Sequence, residues 1–142
     1  MKLLLDTSAY SALMRGNKEV AHRVRSAEML YFSSIVAGEL LYGFRHGTRY
    51  LQNRTQLEAF LASPHVHFLP VTFTTSDRFG LVAADLHKRG TPLPANDIWI
   101  AAHTLESGAD LLSFDAHFNS VAGLSLLLMT ATNKSTAGKS NW

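Results

Sequence analysis

The chain has 142 residues, 46% of them hydrophobic and 17% charged, with no cysteine and a formal net charge of +2. That length and apolar content suit one core and exclude a disordered chain or two independent domains. The absence of cysteine excludes a disulfide framework, a thiolate metal site and a cysteine nucleophile, and fits a reducing, cytoplasmic setting.

The first predicted element is a strand over 2–5, KLLL, which ends abruptly in Asp6. Its apolar run is too short for a secretory segment, and nothing later approaches the ~18 apolar residues of a membrane span, so no membrane partner is expected. Helices follow over 8–15 and 18–27, then a second strand over 29–33, MLYFS. Helical periodicity resumes over 34–46 and 49–62, and VHFLPV predicts a third strand over 66–71. A helix over 76–89 stops at the GTPLP breaker beginning at Gly90, and Asn96 is read as the cap of the next helix, over 97–107. Strands over 110–113 and 124–128 flank a short turn around His117. Short apolar runs alternating with helices are the pattern of repeated βαβ units. The predicted fold is a three-layer α/β/α sandwich around a central parallel five-stranded sheet, spanning 1–130, with a polar tail over 131–142.

Four acids stand where such a sheet binds ligands, beyond the carboxyl ends of its strands. Asp6 follows the first strand, although it also suits the N-cap of the helix at TSAY. Glu39 in SSIVAGELLYGF has Ile35, Val36, Tyr42 and Gly43 as its helical neighbours, so it rises from an apolar stripe and requires a partner. Gly38 and Gly43 beside it suggest the close approach of another segment. Asp97 in PANDIWIAAH lies in a first turn, where the helix dipole favours it, at the head of a helix with hardly any polar face. Asp115 in DLLSFDAHF follows a strand and equally suits a turn cap. Asp110 starts that same strand at the opposite end, while Asp77 and Asp85 accompany basic residues on a solvated helix face. Carboxylates converging without counterions repel, and an all-oxygen acidic cluster suits a hard divalent ion, Mg²⁺ or Mn²⁺.

LLLDTSAY, SSIVAGELLYGF, PLPANDIWIAAH and LLSFDAHF, in this order, resemble the PIN-domain ribonucleases, and most closely the VapC toxins of bacterial toxin–antitoxin pairs. The resemblance runs from residue 1 to about 129. It implies that Asp6 and Asp97 are the principal metal-binding aspartates, Glu39 the acid on the helix after the second strand, and Asp115 the fourth acid, which some relatives replace by asparagine. It also implies a homodimer, an RNA substrate with tRNA among the candidates, and a small antitoxin whose C-terminal segment covers the site.

Other motifs weigh less. AGKS near the end lacks both the first glycine and the following helix of a P-loop. LLLDTS lacks the second aspartate of a haloacid-dehalogenase-type phosphatase, since Ser8 stands there. His65 and His67 have no third ligand nearby and read as an edge or loop pair. With the four acids set aside the remainder is basic, with Arg15, Lys18, Arg23, Arg25, Arg45, Arg49 and Arg54 in the first half, a distribution that attracts a polyanion. The sequence therefore predicts a metal-dependent endoribonuclease with catalytic residues Asp6, Glu39, Asp97 and Asp115. The rival is a non-catalytic PIN-like module that binds RNA or a partner; structure-selective DNA cleavage is a weaker one.

Overall fold

A computed structural model of the chain describes residues 1–130; the predicted tail, 131–142, lies outside the described residues. Five strands, β1 Lys2–Leu5, β2 Met29–Ser33, β3 Val66–Leu69, β4 Asp110–Ser113 and β5 Leu126–Leu128, form one sheet in the order β3-β2-β1-β4-β5. Every pairing is parallel, with Leu4 opposite Tyr31 on one side of β1 and opposite Leu111 on the other. The central strand is thus the first one, and the chain leaves it toward β2 but returns later to its other side at β4. That reversal creates a topological switch point, the place where open α/β sheets hold ligands.

Six helices cover the sheet: α1 Thr7–Met14, α2 Lys18–Ser26, α3 Ser34–His46, α4 Tyr50–Leu61, α5 Phe73–Arg89 and α6 Ala95–Ser107. A 3-10 helix at Ala116–Ser120 joins β4 to β5. Both faces of β1 are buried, which is why its apolar run is continuous instead of alternating. Leu3 and Leu5 pack with Ala9, Ala12 and Val20 of α1 and α2, whereas Leu4 packs with Val36, Leu40 and Ile100 of α3 and α6. Tyr10 anchors α1 by edge-on ring contacts with Phe32 and Phe60, at centroid separations of 5.6 and 5.3 Å. A third apolar cluster, Val82, Leu86, Ile98 and Ala101, joins α5 to α6, and Phe79 stacks on Trp99 at 4.1 Å.

The element order agrees with the prediction; α1, α2 and α4 shift by one residue at their ends, and four elements differ by more. β3 stops at Leu69 because Pro70 has no N–H to give a ladder. β5 is confined to Leu126–Leu128. α5 begins at Phe73, because Thr72 and Thr75 form a reciprocal capping box. α6 begins at Ala95 with Pro94 at the cap position, so Asn96 is not the cap and its side chain is released for another role. Gly90 and Gly108 end α5 and α6 in the left-handed conformation, with φ of 71° and 70°, as the breaker pattern requires. The close approach expected at Gly38 is absent: this residue is exposed, and a side chain there would meet nothing within 4 Å.

Candidate active site

Asp6 lies one residue past β1, and its N–H still donates to the Leu112 carbonyl at 3.2 Å. Its side chain turns inward and is 5% exposed. Oδ1 accepts from the Ala9 N–H at 2.9 Å and the Ser8 hydroxyl at 2.7 Å, while Oδ2 accepts from the Ser113 hydroxyl at 2.5 Å. The capping account holds: one carboxylate oxygen starts α1, and the other is left to face Ser113 at the end of β4. Ser8 and Ser113 also accept the N–H groups of Phe114 and Asp115, which lace the segment after β4 to the exit of β1. Burial raises the Asp6 carboxyl above its ordinary range. Those donors pull it back down, and the charge of Asp115 adds to the rise.

Glu39 is half-buried on α3. Its Oε1 accepts from the Thr7 hydroxyl at 2.5 Å and its Oε2 from the Asn96 side-chain amide at 3.1 Å. The required partners are thus polar side chains from the first residue of α1 and the first turn of α6. The stripe around Glu39 is only partly apolar interior, because Tyr42 is 69% exposed.

Asp97, one residue beyond Asn96, has its carboxyl pushed up to about 6. Burial is the largest cause, followed by the negative charges of Asp115, Glu39 and Asp6, with His117 acting in the opposite sense. The other three predicted acids thus all lie within electrostatic reach of Asp97. Asp115 caps the 3-10 helix by accepting the His117 N–H at 2.9 Å, and the His117 ring lies 2.8 Å from the same carboxylate.

Among the described residues no group of three or more His, Asp or Glu side chains is close enough together to hold a metal ion. The chemistry of the donor set nevertheless suits a hard cation: all four groups are carboxylates, the charges of Asp115, Glu39 and Asp6 add to the burial that raises Asp97, and hydroxyls and the Asn96 amide aim Asp6 and Glu39.

Sequence reasoning passed over Thr7 and Ser113, which donate to Glu39 and Asp6, and His103, which braces the helix that carries Asp97. A signal was present, since β2 and β4 are apolar runs ending in a hydroxyl residue, Ser33 and Ser113. His103 of α6 is fully buried. Its Nε2 is 3.0 Å from the Pro70 carbonyl, a pure acceptor, so that nitrogen carries the proton and Nδ1 accepts from the Ser33 hydroxyl at 2.7 Å. The predicted bystanders behave as expected: Asp85 pairs with Arg89 at 2.7 Å and His67 lies exposed on the edge strand. Of the basic residues, Arg45 sits over the Tyr50 ring at 4.0 Å, and Arg54 donates to the Tyr50 hydroxyl at 2.9 Å.

Fold and site together define a parallel α/β domain with acidic residues at its switch point. Residues 3–124 match the family model of the PIN domain. The chain is 32% identical over 117 residues to Ribonuclease VapC1 of Haemophilus influenzae strain R2866, a match covering 80% of this chain and 86% of that protein. The chain belongs to the PIN-domain family, as its motifs predicted. Among solved structures it is similar to VapBC-1 from nontypeable Haemophilus influenzae, with a TM-score of 0.79 and 28% identity over 90% of this chain and 98% of that one. The fold also matches VapBC-5 from Mycobacterium tuberculosis, a member of the VapBC family of toxin-antitoxin systems, with a TM-score of 0.68 and 20% identity over 91% and 98% of the two chains. No helix among the described residues is long and apolar enough to cross a membrane.

Proposed function

We propose that this chain is a metal-dependent endoribonuclease acting as the toxin of a toxin–antitoxin pair. The observation that carries the reading is Asp97 at the head of α6, half-buried and pushed up to about 6 first by burial and then by the charges of Asp115, Glu39 and Asp6. The ribonuclease names of its relatives support the activity, and the VapBC complexes among its structural neighbours support an antitoxin partner. A homodimer is part of the same proposal, by resemblance to the family.

Asp6 and Asp97 would hold Mg²⁺ or Mn²⁺, with Glu39 and Asp115 completing the set. The ion, when bound, would neutralise phosphate charge and lower the pKa of an attacking water. The protein's own groups prepare that event. Ser8, Ser113 and the Ala9 N–H orient Asp6, Thr7 and Asn96 fix Glu39, and Asp97 stands ready to release its proton near neutrality.

The test is cleavage of single-stranded RNA by the full chain with Mn²⁺ and with EDTA, for the wild type and Asp97→Asn. Cleavage confined to the wild type with Mn²⁺ supports the reading. RNA binding without cleavage in either condition would instead favour a non-catalytic module, and cutting of DNA but not RNA would assign a different substrate.

A further inference from the structure

Between α1, α3 and α4 lies a groove of about 200 Å³ that none of the four acids lines. Tyr10 and Ser11 line it, and their hydroxyls are shut off from solvent with no hydrogen-bond partner. Orphaned polar atoms are uncommon in folded interiors, and two adjacent ones mark a place prepared for a group that is absent. Burial pushes the Tyr10 phenol up to about 12, so it is a donor at any physiological pH. Around these hydroxyls the groove adds the amides of Gln52 and Gln56 and the guanidinium groups of Arg15 and Arg49. Gln52, Gln56 and Arg49 are exposed and long enough to move aside for an entering group. Met14 and Phe44 supply an apolar wall.

The groove adjoins the acids. Tyr10 and Ser11 follow Thr7, which holds Glu39, by three and four residues of the same helix. At a rise of 1.5 Å per residue that displacement is about 6 Å along α1. A polymer engaged at Glu39 can reach the groove with an adjoining unit.

We propose that the groove receives one unstacked nucleobase of a single-stranded RNA substrate beside the scissile phosphate, and so determines sequence preference; this rests on the ribonuclease reading above. Amides and hydroxyls offer both donors and acceptors to a base edge, the apolar wall faces the ring, and Arg15 and Arg49 meet flanking phosphates. Splayed-out bases held in this manner are how proteins read single-stranded RNA. A simple anion site would need donors only, whereas Gln52 and Gln56 also bring carbonyl acceptors.

The experiment uses the full chain carrying Asp97→Asn, with single-stranded RNA selected from a random pool for binding to it, and the same RNA made abasic at each position in turn. One abasic position should weaken binding about tenfold. Adding Gln52→Ala together with Gln56→Ala should abolish that sensitivity, so that intact and abasic RNA bind alike, and Tyr10→Phe, which keeps the packed ring, should reduce it. On the Asp97 background, with a pool of cut RNA ends as readout, the wild-type preference at one position should flatten in the same variants. A flat abasic scan, or a sensitive position unchanged in every variant, overturns the base pocket. So does loss of antitoxin binding with RNA binding untouched, which would make the groove a protein-docking site. Wild-type cleavage with a flat scan removes only the groove proposal, while a chain that neither binds nor cuts RNA removes the ribonuclease reading with it.

Discussion

Asp6 meets two demands with one carboxylate, and Ser113 is the group that makes them compatible. Burial raises this 5% exposed carboxyl above its ordinary range, and the Ser113 hydroxyl, serving the oxygen that does not cap α1, works against that rise. Ser113→Ala should therefore cost about 1–3 kcal/mol, the range for a buried polar group that loses its partner. The loss should be larger at pH 7 than at pH 4, because the bond is strongest to the ionised form. Urea midpoints at the two pH values check this, and equal losses at both would show that Ser113 acts only through packing. Asp97 behaves in the opposite sense. Its folded value of about 6 lies above the ordinary 3.8, so between pH 4 and 6 the folded chain keeps a proton that the unfolded chain has released. Its contribution to stability is then lost as pH rises through that window and levels off above about 6. Because Asp97 is only half-buried, solvent screening reduces the effect to the order of 1 kcal/mol. In EDTA, Asp97→Asn should gain stability relative to the wild type across pH 4 to 6, and parallel stability profiles would remove the repulsion argument.

At the scale of elements, the acids are only as well placed as α6, and α6 is fixed to the sheet by His103. That imidazole bridges the Ser33 hydroxyl, at the junction of β2 and α3, and the Pro70 carbonyl just after β3. His103→Leu keeps the volume roughly but strands both partners, so a loss of about 2–4 kcal/mol is expected, with a melting temperature lowered by roughly 5–15 °C. Thermal melts decide it; a shift under 2 °C would mean that packing alone holds α6. His103 also shows where sequence reading ended. The order of strands and helices was legible because parallel strands buried on both faces read as unbroken apolar runs, and the helices read by their period. The four acids stood out because Asp6 and Asp115 follow strands, Glu39 interrupts an apolar helix and Asp97 heads one. Asn96 was misread, because a good capping residue two positions after Pro94 gives no hint that the proline takes the cap and the amide reaches Glu39. Thr7, Ser113 and His103 depend on partners 32, 107 and 70 positions away, and nothing local in the sequence announces a hydrogen bond at such separations.

Over the whole molecule, the sheet gathers negative charge at one end while the rest of the chain is basic, and the two features imply opposite ligands for one site. A polyanion approaching Asp6 and Asp97 meets repulsion unless a cation has already been taken up. Among the described residues no Arg or Lys pairs with these four acids: His117 pairs with Asp115 from an exposed position, and the Arg45 and Arg54 guanidinium groups are drawn to Tyr50. Metal should therefore bind the native state alone, because only the fold brings residues 6, 39, 97 and 115 together. Binding confined to the native state adds RT ln(1 + [L]/Kd), about 2.7 kcal/mol at a hundred times Kd. For a chain of this size that corresponds to a rise in melting temperature of roughly 5–10 °C. The rise should follow the Mn²⁺ concentration, vanish in EDTA and be largely lost in Asp97→Asn, although that variant starts from a more stable metal-free state. Melting curves that coincide with and without Mn²⁺ up to millimolar concentrations, in a chain that still binds RNA, would show that the four carboxylates never neutralise through a metal, and the proposed chemistry would have to be abandoned.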